Sequence, residues 1–129
     1  MKNEDHHHQE LLKGVTVQYQ EILDTSQQAI YIWLHDESMV CNSKFASLLG
    51  YSSASELSQV KGAFLEMFVA DPSQATLAKA YNDAMVKKIS STFALTWKKK
   101  NGDTVGSIVN LVPIVYGDHL FALHFIDKA

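Results

Sequence analysis

Residue types capable of catalysis or metal binding occur in this chain, but their spacing does not assemble a site. The single cysteine, Cys41, excludes an internal disulfide framework and suits a reducing compartment. His119 and His124 are five positions apart in one apolar run, so on a strand they would point to opposite faces and could not share a metal ion. The sequence has neither a nucleophile elbow nor a glycine-rich phosphate loop. It therefore predicts no catalytic residue and no metal ligand.

The polar segment 1–9 contains three consecutive histidines, His6, His7 and His8. Adjacent histidines without a further ligand at metal-binding spacing do not define a site, and the run fits both a native sequence and the remnant of a tag. Because no hydrophobic periodicity begins before Glu10, we expect residues 1–9 to form a disordered tail.

Composition places the chain among single-domain globular proteins. Its 129 residues are 47% hydrophobic and 19% charged, which is enough for one core. All eleven basic residues are lysines, against fourteen acidic residues, so the chain lacks the arginine side chains and the positive charge that nucleic-acid binding uses. The longest apolar run, 29–34, is too short to span a membrane. We therefore expect a soluble cytoplasmic domain that binds neither nucleic acid nor membrane.

Hydrophobic periodicity predicts an α+β domain with one antiparallel sheet. Apolar residues three and four positions apart indicate a flanking helix over 10–26. Short helices begin near Asn42, and a longer helix follows over 71–88. Five apolar or β-rich runs predict strands, and they are 29–34, 39–41, 92–100, 104–116 and 119–127. The dipeptides Asn101-Gly102 and Gly117-Asp118 are typical of hairpin turns between the last three strands.

The first predicted strand is apolar on both of its faces, so both faces must be covered. One face belongs to an outer sheet surface that carries Ile30, Ile32, Leu34, Ile108, Val112, Ile114, Leu120, Ala122 and Ile126. Since large exposed apolar patches are rare on monomers, we expect the helix over 10–26 to cover this surface, within one chain or by exchange between two. We predict a homodimer, and the alternative is a monomer whose helix folds back. The predicted dimer interface comprises Leu11, Leu12, Val15, Tyr19, Ile22, Leu23, Ile30 and Ile32.

The order of these elements, together with several short motifs, resembles the PAS (Per-Arnt-Sim) sensory domain family from about Tyr19 to Asp127. The motifs are Asn42-Ser43-Lys44-Phe45 directly after the strand pair, Leu48-Leu49-Gly50-Tyr51, Ser53 to Leu57, Asp71-Pro72, Lys99-Lys100-Asn101-Gly102 and Phe125-Ile126-Asp127. The resemblance implies a PAS core over 27–129, with a five-stranded sheet in the order 2-1-5-4-3 and short helices forming a cup over one face. It also implies a sensory or interaction role rather than catalysis, so we do not expect an enzyme.

Five residues are predicted to have structural roles. The resemblance implies that Asn42 caps the first short helix and ties the strand end to the neighbouring loop. Gly50 is placed to end that helix in the left-handed conformation. Asp71 is predicted to be the N-cap of the long helix and Pro72 its first residue. A two-residue turn and a three-residue loop with a bulge at Gly102 both fit the hairpin, and the family likeness favours the bulge.

Bulky residues on the inner sheet face are predicted to line the cup. The candidate ligand-binding residues are Tyr31, Trp33, Tyr81, Met85, Leu95, Trp97, Ser107, Val109, Leu123 and Phe125. A row of aromatic side chains over a sheet is also typical of a plain core, so two functions stay open. One is a non-catalytic signal-sensing module of a regulatory or signal-transduction system, which binds a small apolar or aromatic ligand and signals through dimerisation. The other is a protein-protein interaction (adaptor) domain whose core is filled by its own side chains.

Two cofactors of the PAS family are not expected here. Members that form a covalent flavin adduct need a cysteine in the helices after the second strand, and residues 52–68 contain none. Haem-binding members usually supply a histidine from the long helix, and residues 71–88 contain none. No cofactor is therefore expected, and a ligand, where one binds, would be a non-covalent small molecule. An effector protein or a kinase is the expected partner besides a second copy of the chain.

Overall fold

Five helices and five strands occur in the parts of the chain that the computed structural model describes, residues 2–35, 38–60, 63–116 and 119–128. In chain order they are α1 (Lys2–Thr25), β1 (Ala29–His35), β2 (Ser38–Cys41), α2 (Ser43–Leu48), α3 (Ala54–Ser58), α4 (Phe64–Phe68), α5 (Asp71–Lys87), β3 (Ser91–Lys98), β4 (Thr104–Tyr116) and β5 (His119–Lys128). The strands form one antiparallel sheet in the order β2-β1-β5-β4-β3. The predicted α+β class and the strand order that the resemblance implied are both confirmed.

Each face of this sheet has its own hydrophobic core. The helices that connect β2 to β3 cover the inner face, and α1 covers part of the outer face. The outer core is built mainly from aliphatic residues, namely Val15, Leu23, Ile30, Ile32, Phe121 and Leu123. The inner core is larger and holds most of the buried aromatic residues, including Tyr31, Trp33, Phe45, Phe64, Phe68 and Trp97. A first strand with two apolar faces thus has a covering layer on each side.

Helix α1 extends from Lys2 to Thr25, so residues 2–9 continue the helix instead of forming the predicted disordered tail. Neither proline nor glycine occurs before Gly14, so no residue of the segment interrupts helix propagation towards the N-terminus. At the other end the Thr25 hydroxyl donates to the Glu21 carbonyl at 2.7 Å. In the part of the chain that the structure describes, neither α1 nor any other helix has the length and hydropathy of a membrane span.

The last strand presents the opposite faces from those predicted. Tyr31 on β1 pairs with His124 on β5, and opposed residues of antiparallel strands lie on the same face. His124 therefore lies on the inner face, whereas Leu123 and Phe125, predicted to line the cup, lie on the outer face. The reason is that residues 119–127 are apolar at both parities, so alternation alone does not select a face. The same reversal places Leu120, Ala122 and Ile126, predicted to be outer residues, on the inner face.

The hairpin between β3 and β4 has the glycine bulge that the family likeness favoured. Leu95 pairs with Ser107, which is the register of the three-residue loop and not of the two-residue turn. Gly102 has a φ of +95°, a left-handed conformation that glycine adopts without steric cost. This loop geometry places Ser107 on the inner face. The Gly117-Asp118 turn lies outside the described residues.

Helix α5 begins at Asp71, which is therefore its first residue and not the residue before it. The N-cap is Ala70, whose side chain makes no capping hydrogen bond, so the prediction of Asp71 as N-cap is wrong. The Asp71 carboxylate instead accepts a hydrogen bond from Gln74 Nε2 at 3.2 Å, within the first turn, where the helix dipole stabilises negative charge. Pro72 is the second residue of α5 and not the predicted first. It still lies in the first turn, where a backbone N–H has no carbonyl partner within the helix, so its missing N–H costs nothing.

Candidate functional site

The candidate site is the space between the inner sheet face and helices α2, α4 and α5, which we call the cup. Strand alternation places every second side chain of each strand in it. Eight of the ten predicted ligand-binding residues lie here, and they are Tyr31, Trp33, Tyr81, Met85, Leu95, Trp97, Ser107 and Val109. Leu123 and Phe125 do not, because β5 turns them to the outer face. His124 takes their place at the inner face.

Aromatic rings fill the centre of the cup around Tyr31. The Tyr31 ring stacks on His124 with 3.9 Å between ring centroids and 11° between planes. Phe45 from α2 and Phe64 from α4 cover it at centroid distances of 4.8 and 5.1 Å. The edge of Trp97 approaches at 5.8 Å. These distances are those of directly packed rings, so the chain's own side chains occupy the middle of the cup.

Trp97 and Ser107 form a buried hydrogen-bonded pair at one side of the cup. The indole Nε1 of Trp97 donates to the Ser107 hydroxyl at 2.7 Å. That hydroxyl in turn donates to the Leu95 carbonyl at 3.0 Å. Every polar atom of this chain of bonds has a partner, as buried polar groups require. Ser107, which was predicted to contact a ligand, therefore orients the Trp97 ring in this structure.

His124 is a fully buried imidazole that the sequence reasoning did not select. Its Nδ1 lies 3.0 Å from the Ala122 carbonyl oxygen, and its Nε2 has no hydrogen-bond partner. Burial lowers the pKa of His124 to about 3, against the smaller opposing effects of the backbone groups of Ala122 and Tyr31. The ring is therefore neutral at physiological pH. The signal that identifies it is the pairing with Tyr31, which the sequence alone leaves open.

The Tyr31 hydroxyl is a second buried polar group without a partner. Burial raises the pKa of Tyr31 well above its ordinary value, so the phenol keeps its proton. In the part of the chain that the structure describes, three buried side-chain polar atoms lack a partner, and two of them belong to the stacked pair Tyr31 and His124. Unpartnered polar atoms are rare in native cores, so their coincidence in one cluster requires an explanation.

Asn42 fixes the strand end beside the cup. Its Oδ1 accepts hydrogen bonds from the Ile30 and Phe45 amides, each at 3.0 Å, and its Nδ2 donates to the Gln28 carbonyl at 2.9 Å. This side chain caps α2 and joins it to β1, the role that the resemblance implied. Gly50 follows α2 with a φ of +86°, which is the left-handed helix ending predicted for it.

Helix α4, like α5, begins without a side-chain cap. The N-cap of α2 is Asn42 and that of α3 is Ser53, and both side chains accept a backbone N–H of their helix. The N-cap of α4 is Ala63, which makes no side-chain hydrogen bond. The start of α4, where Phe64 lies, therefore lacks the contribution of about 1 kcal/mol that a side-chain N-cap makes.

An ion pair joins α3 to the β3–β4 loop outside the cup. Lys100 Nζ lies 2.6 Å from Glu56 Oε2, and the Lys100 amide donates to the Leu49 carbonyl at 2.7 Å. The hydrogen bond from Lys100 lowers the pKa of Glu56 to about 2. A surface depression of about 380 Å³ adjoins this loop at Gly50 and Lys99 to Asn101. Because both charged groups are solvated, the pair positions the loop rather than supplying chemistry.

On the outer face, α1 covers β1 and β5 of the same chain. Val15 and Leu23 are buried against the sheet, and Tyr19 packs beside them. Gly14 lies so close to the Tyr116 ring that a Cβ at this position would overlap it. Ile22, in contrast, is 39% exposed. The side chains of Leu11 and Leu12 lie outside those described. Of the predicted dimer-interface residues, Val15, Leu23, Ile30 and Ile32 are thus buried within one chain.

The described residues contain no group of three or more histidine, cysteine or acidic side chains that could hold a metal ion. Cys41, the last residue of β2, is buried, and burial raises the pKa of its thiol to about 12. Such a thiol is a packing residue rather than a nucleophile.

Comparisons with known proteins agree with this architecture. A scan against protein-family models matches none, and a search of curated proteins found no similar sequence. Among solved structures, a PAS domain from Colwellia psychrerythraea superimposes with a TM-score of 0.68 at 18% identity over 89% of this chain and 97% of that one. The chain has the PAS fold.

Two further solved structures share the PAS fold. A PAS domain from Desulfitobacterium hafniense gives a TM-score of 0.67 at 17% identity, covering 84% of this chain and 99% of that one. A PAS domain from a two-component sensor histidine kinase gives 0.65 at 12% identity, covering 91% and 99%. One fold can carry functional sites of different chemistry, so the function of this chain depends on the residues of its cup.

Proposed function

We propose that the chain is a non-catalytic signal-sensing module of a regulatory or signal-transduction system, and that its cup binds a small apolar or aromatic ligand. The observation behind this proposal is the pair of buried, unpartnered polar atoms, Tyr31 Oη and His124 Nε2. Each such atom destabilises a fold by about 1–3 kcal/mol. A bound molecule that supplies their partners accounts for both atoms. The PAS fold shared with a domain of a sensor histidine kinase supports the sensory role.

Entry of a ligand requires one of the central rings to move. Phe64 covers both Tyr31 and Trp33, at centroid distances of 5.1 Å in each case. It is the first residue of α4, whose N-cap residue makes no side-chain hydrogen bond. We therefore propose that Phe64 swings out when the ligand enters, and that the displacement of α4 transmits the signal. A change of this kind follows from the ligand binding the open state more tightly than the closed one.

A second function is supported by a different observation, the filled centre of the cup. Trp97 is fully buried, and Phe45 and Phe64 pack edge-to-face against it at 5.2 and 6.2 Å. A core of this density favours an adaptor domain that binds partner proteins on its surface and holds no ligand. In that case the two unpartnered polar atoms would be satisfied by buried water.

Titration of the full chain with indole, followed by ¹H–¹⁵N NMR, distinguishes the two functions. The sensor proposal predicts saturable shifts of the Trp97 Nε1–H and of the Ser107 amide, with little change at Leu23 in the outer core. Phe64→Ala is the matched variant, because truncating a buried ring creates apolar space for an aromatic probe. Shifts in both proteins support the sensor. Shifts in Phe64→Ala alone show a closed native cup and favour the adaptor, and shifts in neither overturn the sensor proposal.

We also propose that the chain is cytoplasmic and acts as a homodimer through α1, with an effector protein or a kinase as its partner. α1 carries Val17 and Ile22, which are 77% and 39% exposed although apolar, and a second copy would cover them. Exchange of α1 between copies would instead preserve the buried contacts of Val15 and Leu23. Light scattering on the full chain tests the proposal. A dimer that Val17→Glu dissociates supports the side-by-side arrangement, a dimer insensitive to it supports exchange, and a monomer overturns both.

A further inference from the structure

The hydrogen bond at His124 Nδ1 determines whether the other ring nitrogen, Nε2, donates or accepts a hydrogen bond. A carbonyl oxygen only accepts hydrogen bonds, so the 3.0 Å contact with the Ala122 oxygen places the proton of the neutral ring on Nδ1. The other nitrogen, Nε2, then holds a lone pair and no hydrogen. It is fully buried and has no partner. A ligand group that satisfies it must donate a hydrogen bond.

The Tyr31 hydroxyl has the complementary capacity. Its proton is retained, because burial disfavours the phenolate, and it has neither a donor nor an acceptor as partner. The rings of Tyr31 and His124 are stacked and nearly parallel, so the two free atoms lie on neighbouring rings of one cluster. A ligand group that satisfies Tyr31 best accepts its proton.

The aromatic rings packed around Tyr31 disfavour an ionised ligand group beside its hydroxyl. The other rings in contact with Tyr31 belong to Phe45, Phe64 and Trp97, none of which carries charge. A carboxylate here would lose its hydration and face the lone pair of Nε2, and an ammonium would lose its hydration without a counter-ion. A neutral hydroxyl avoids both penalties.

We infer that the ligand of the cup is a neutral molecule with an apolar or aromatic body and a hydroxyl, phenolic or alcoholic, that donates to His124 Nε2 and accepts from Tyr31. This inference rests on the proposed function, since it specifies the chemistry of the ligand that the cup would bind. Aromatic acids and amines of the same size are excluded by it.

Four probes that share a tolyl ring and differ in the para substituent test the inference: p-cresol, toluene, p-toluate and 4-methylbenzylammonium. Each is titrated by NMR into the wild-type chain and into Phe64→Ala, which offers space even if the native cup stays closed. We expect p-cresol to bind at least about tenfold more tightly than toluene, since two neutral hydrogen bonds contribute to it. Saturable binding of p-toluate and of 4-methylbenzylammonium is not expected.

Two substitutions assign the selectivity to the named atoms. Tyr31→Phe removes the hydroxyl oxygen, His124→Phe removes both ring nitrogens, and each keeps a ring in place. We expect each to bring the affinity for p-cresol to within about threefold of that for toluene, while the affinity for toluene stays within about threefold of its original value.

The outcomes separate the inference from the proposed function. If the wild type binds toluene and p-toluate as tightly as p-cresol, the cup is a ligand site but the inference is wrong. An unchanged preference for p-cresol in Tyr31→Phe and His124→Phe also overturns it. If no probe binds to the wild type, the proposed ligand-binding function fails, and the inference about its natural ligand fails with it. A preference for p-cresol seen in Phe64→Ala alone then describes the engineered cavity only.

Discussion

The two faces of one sheet carry cores of different chemistry. On the outer face, Ile30 and Ile32 are buried beneath Val15 and Leu23 of α1, in a mainly aliphatic core that also contains Phe121. On the inner face, Tyr31 and its neighbours form a cluster of aromatic rings that also encloses an imidazole and two unpartnered polar atoms. Alternate residues of β1 therefore belong to two cores of different composition.

The two cores differ in whether their residues can be explained by stability of the fold alone. The outer core is what stability alone would select, since aliphatic burial is favourable and leaves no polar group to satisfy. The inner core includes polar atoms that lower stability unless something binds them. Departures of this kind from a locally consistent core are expected at functional sites.

The largest expected effect is on the outer face. Ile32→Ala removes a fully buried side chain and should lower the free energy of unfolding by about 2–5 kcal/mol, measured by urea denaturation of the full chain. Ile108→Ala is the control, because Ile108 is 40% exposed and should change stability by less than about 0.5 kcal/mol. Equal effects of the two substitutions would show that α1 does not cover β1.

The next effect concerns the junction that holds the cup to the sheet. Asn42→Ala removes three hydrogen bonds and leaves the amides of Ile30 and Phe45 without an acceptor. We expect a loss of about 2–4 kcal/mol in urea denaturation. Asn42→Ser keeps a hydroxyl that accepts the Phe45 amide at the helix N-cap and adds no buried charge, so it should be the milder change. If the alanine variant is as stable as the wild type, this network does not organise the cup.

A smaller effect is expected from acid, because His124 is buried in its neutral form. Its pKa in the folded chain, about 3, lies below the unfolded value of about 6.5, so the unfolded chain takes up the proton first as the pH falls. Stability is therefore full above the unfolded pKa and decreases below it. The expected loss is about 1.4 kcal/mol from about pH 7.5 to about pH 5.5.

The control for this pH dependence is His124→Phe, measured by urea denaturation across the same range. This variant cannot bind the proton and should lose less stability than the wild type. The range lies above the pKa values of ordinary carboxyl groups, so acidic residues contribute little. Identical pH profiles for both proteins would show that His124 is not buried as a neutral ring.

The smallest effect has the opposite sign. Tyr31→Phe removes a buried hydroxyl that has no partner and should stabilise the ligand-free chain by about 1 kcal/mol, measured by thermal and urea unfolding. Tyr51→Phe is the control, since Tyr51 is only partly buried and should change little. A clear loss of stability in Tyr31→Phe would mean that the hydroxyl has a partner in the ligand-free protein.

Much of the fold could be predicted because the decisive signals are local. The hairpin register follows from the left-handed conformation at Gly102, and the α2 ending from that at Gly50, since glycine adopts such backbone without steric cost. The capping role of Asn42 came with the family resemblance, and its side-chain bonds agree with it.

The site could be predicted less completely because its polar residue depends on a register that the sequence does not encode. Residues 119–127 are apolar at both parities, and only the pairing of Tyr31 with His124 settles which side faces the cup. Because of the same ambiguity, Leu123 and Phe125 were predicted on the inner face although they lie on the outer one. The start of α1 was missed for a different reason, since a polar segment without helix breakers leaves no mark of where a helix begins.

Native mass spectrometry of the freshly purified full chain tests most directly whether the cup is a ligand site. The sensory account predicts a non-covalent small molecule retained on the wild-type chain, and its loss when Tyr31→Phe and His124→Phe are combined. A wild-type chain that carries no small molecule and gains none on incubation with p-cresol would contradict it.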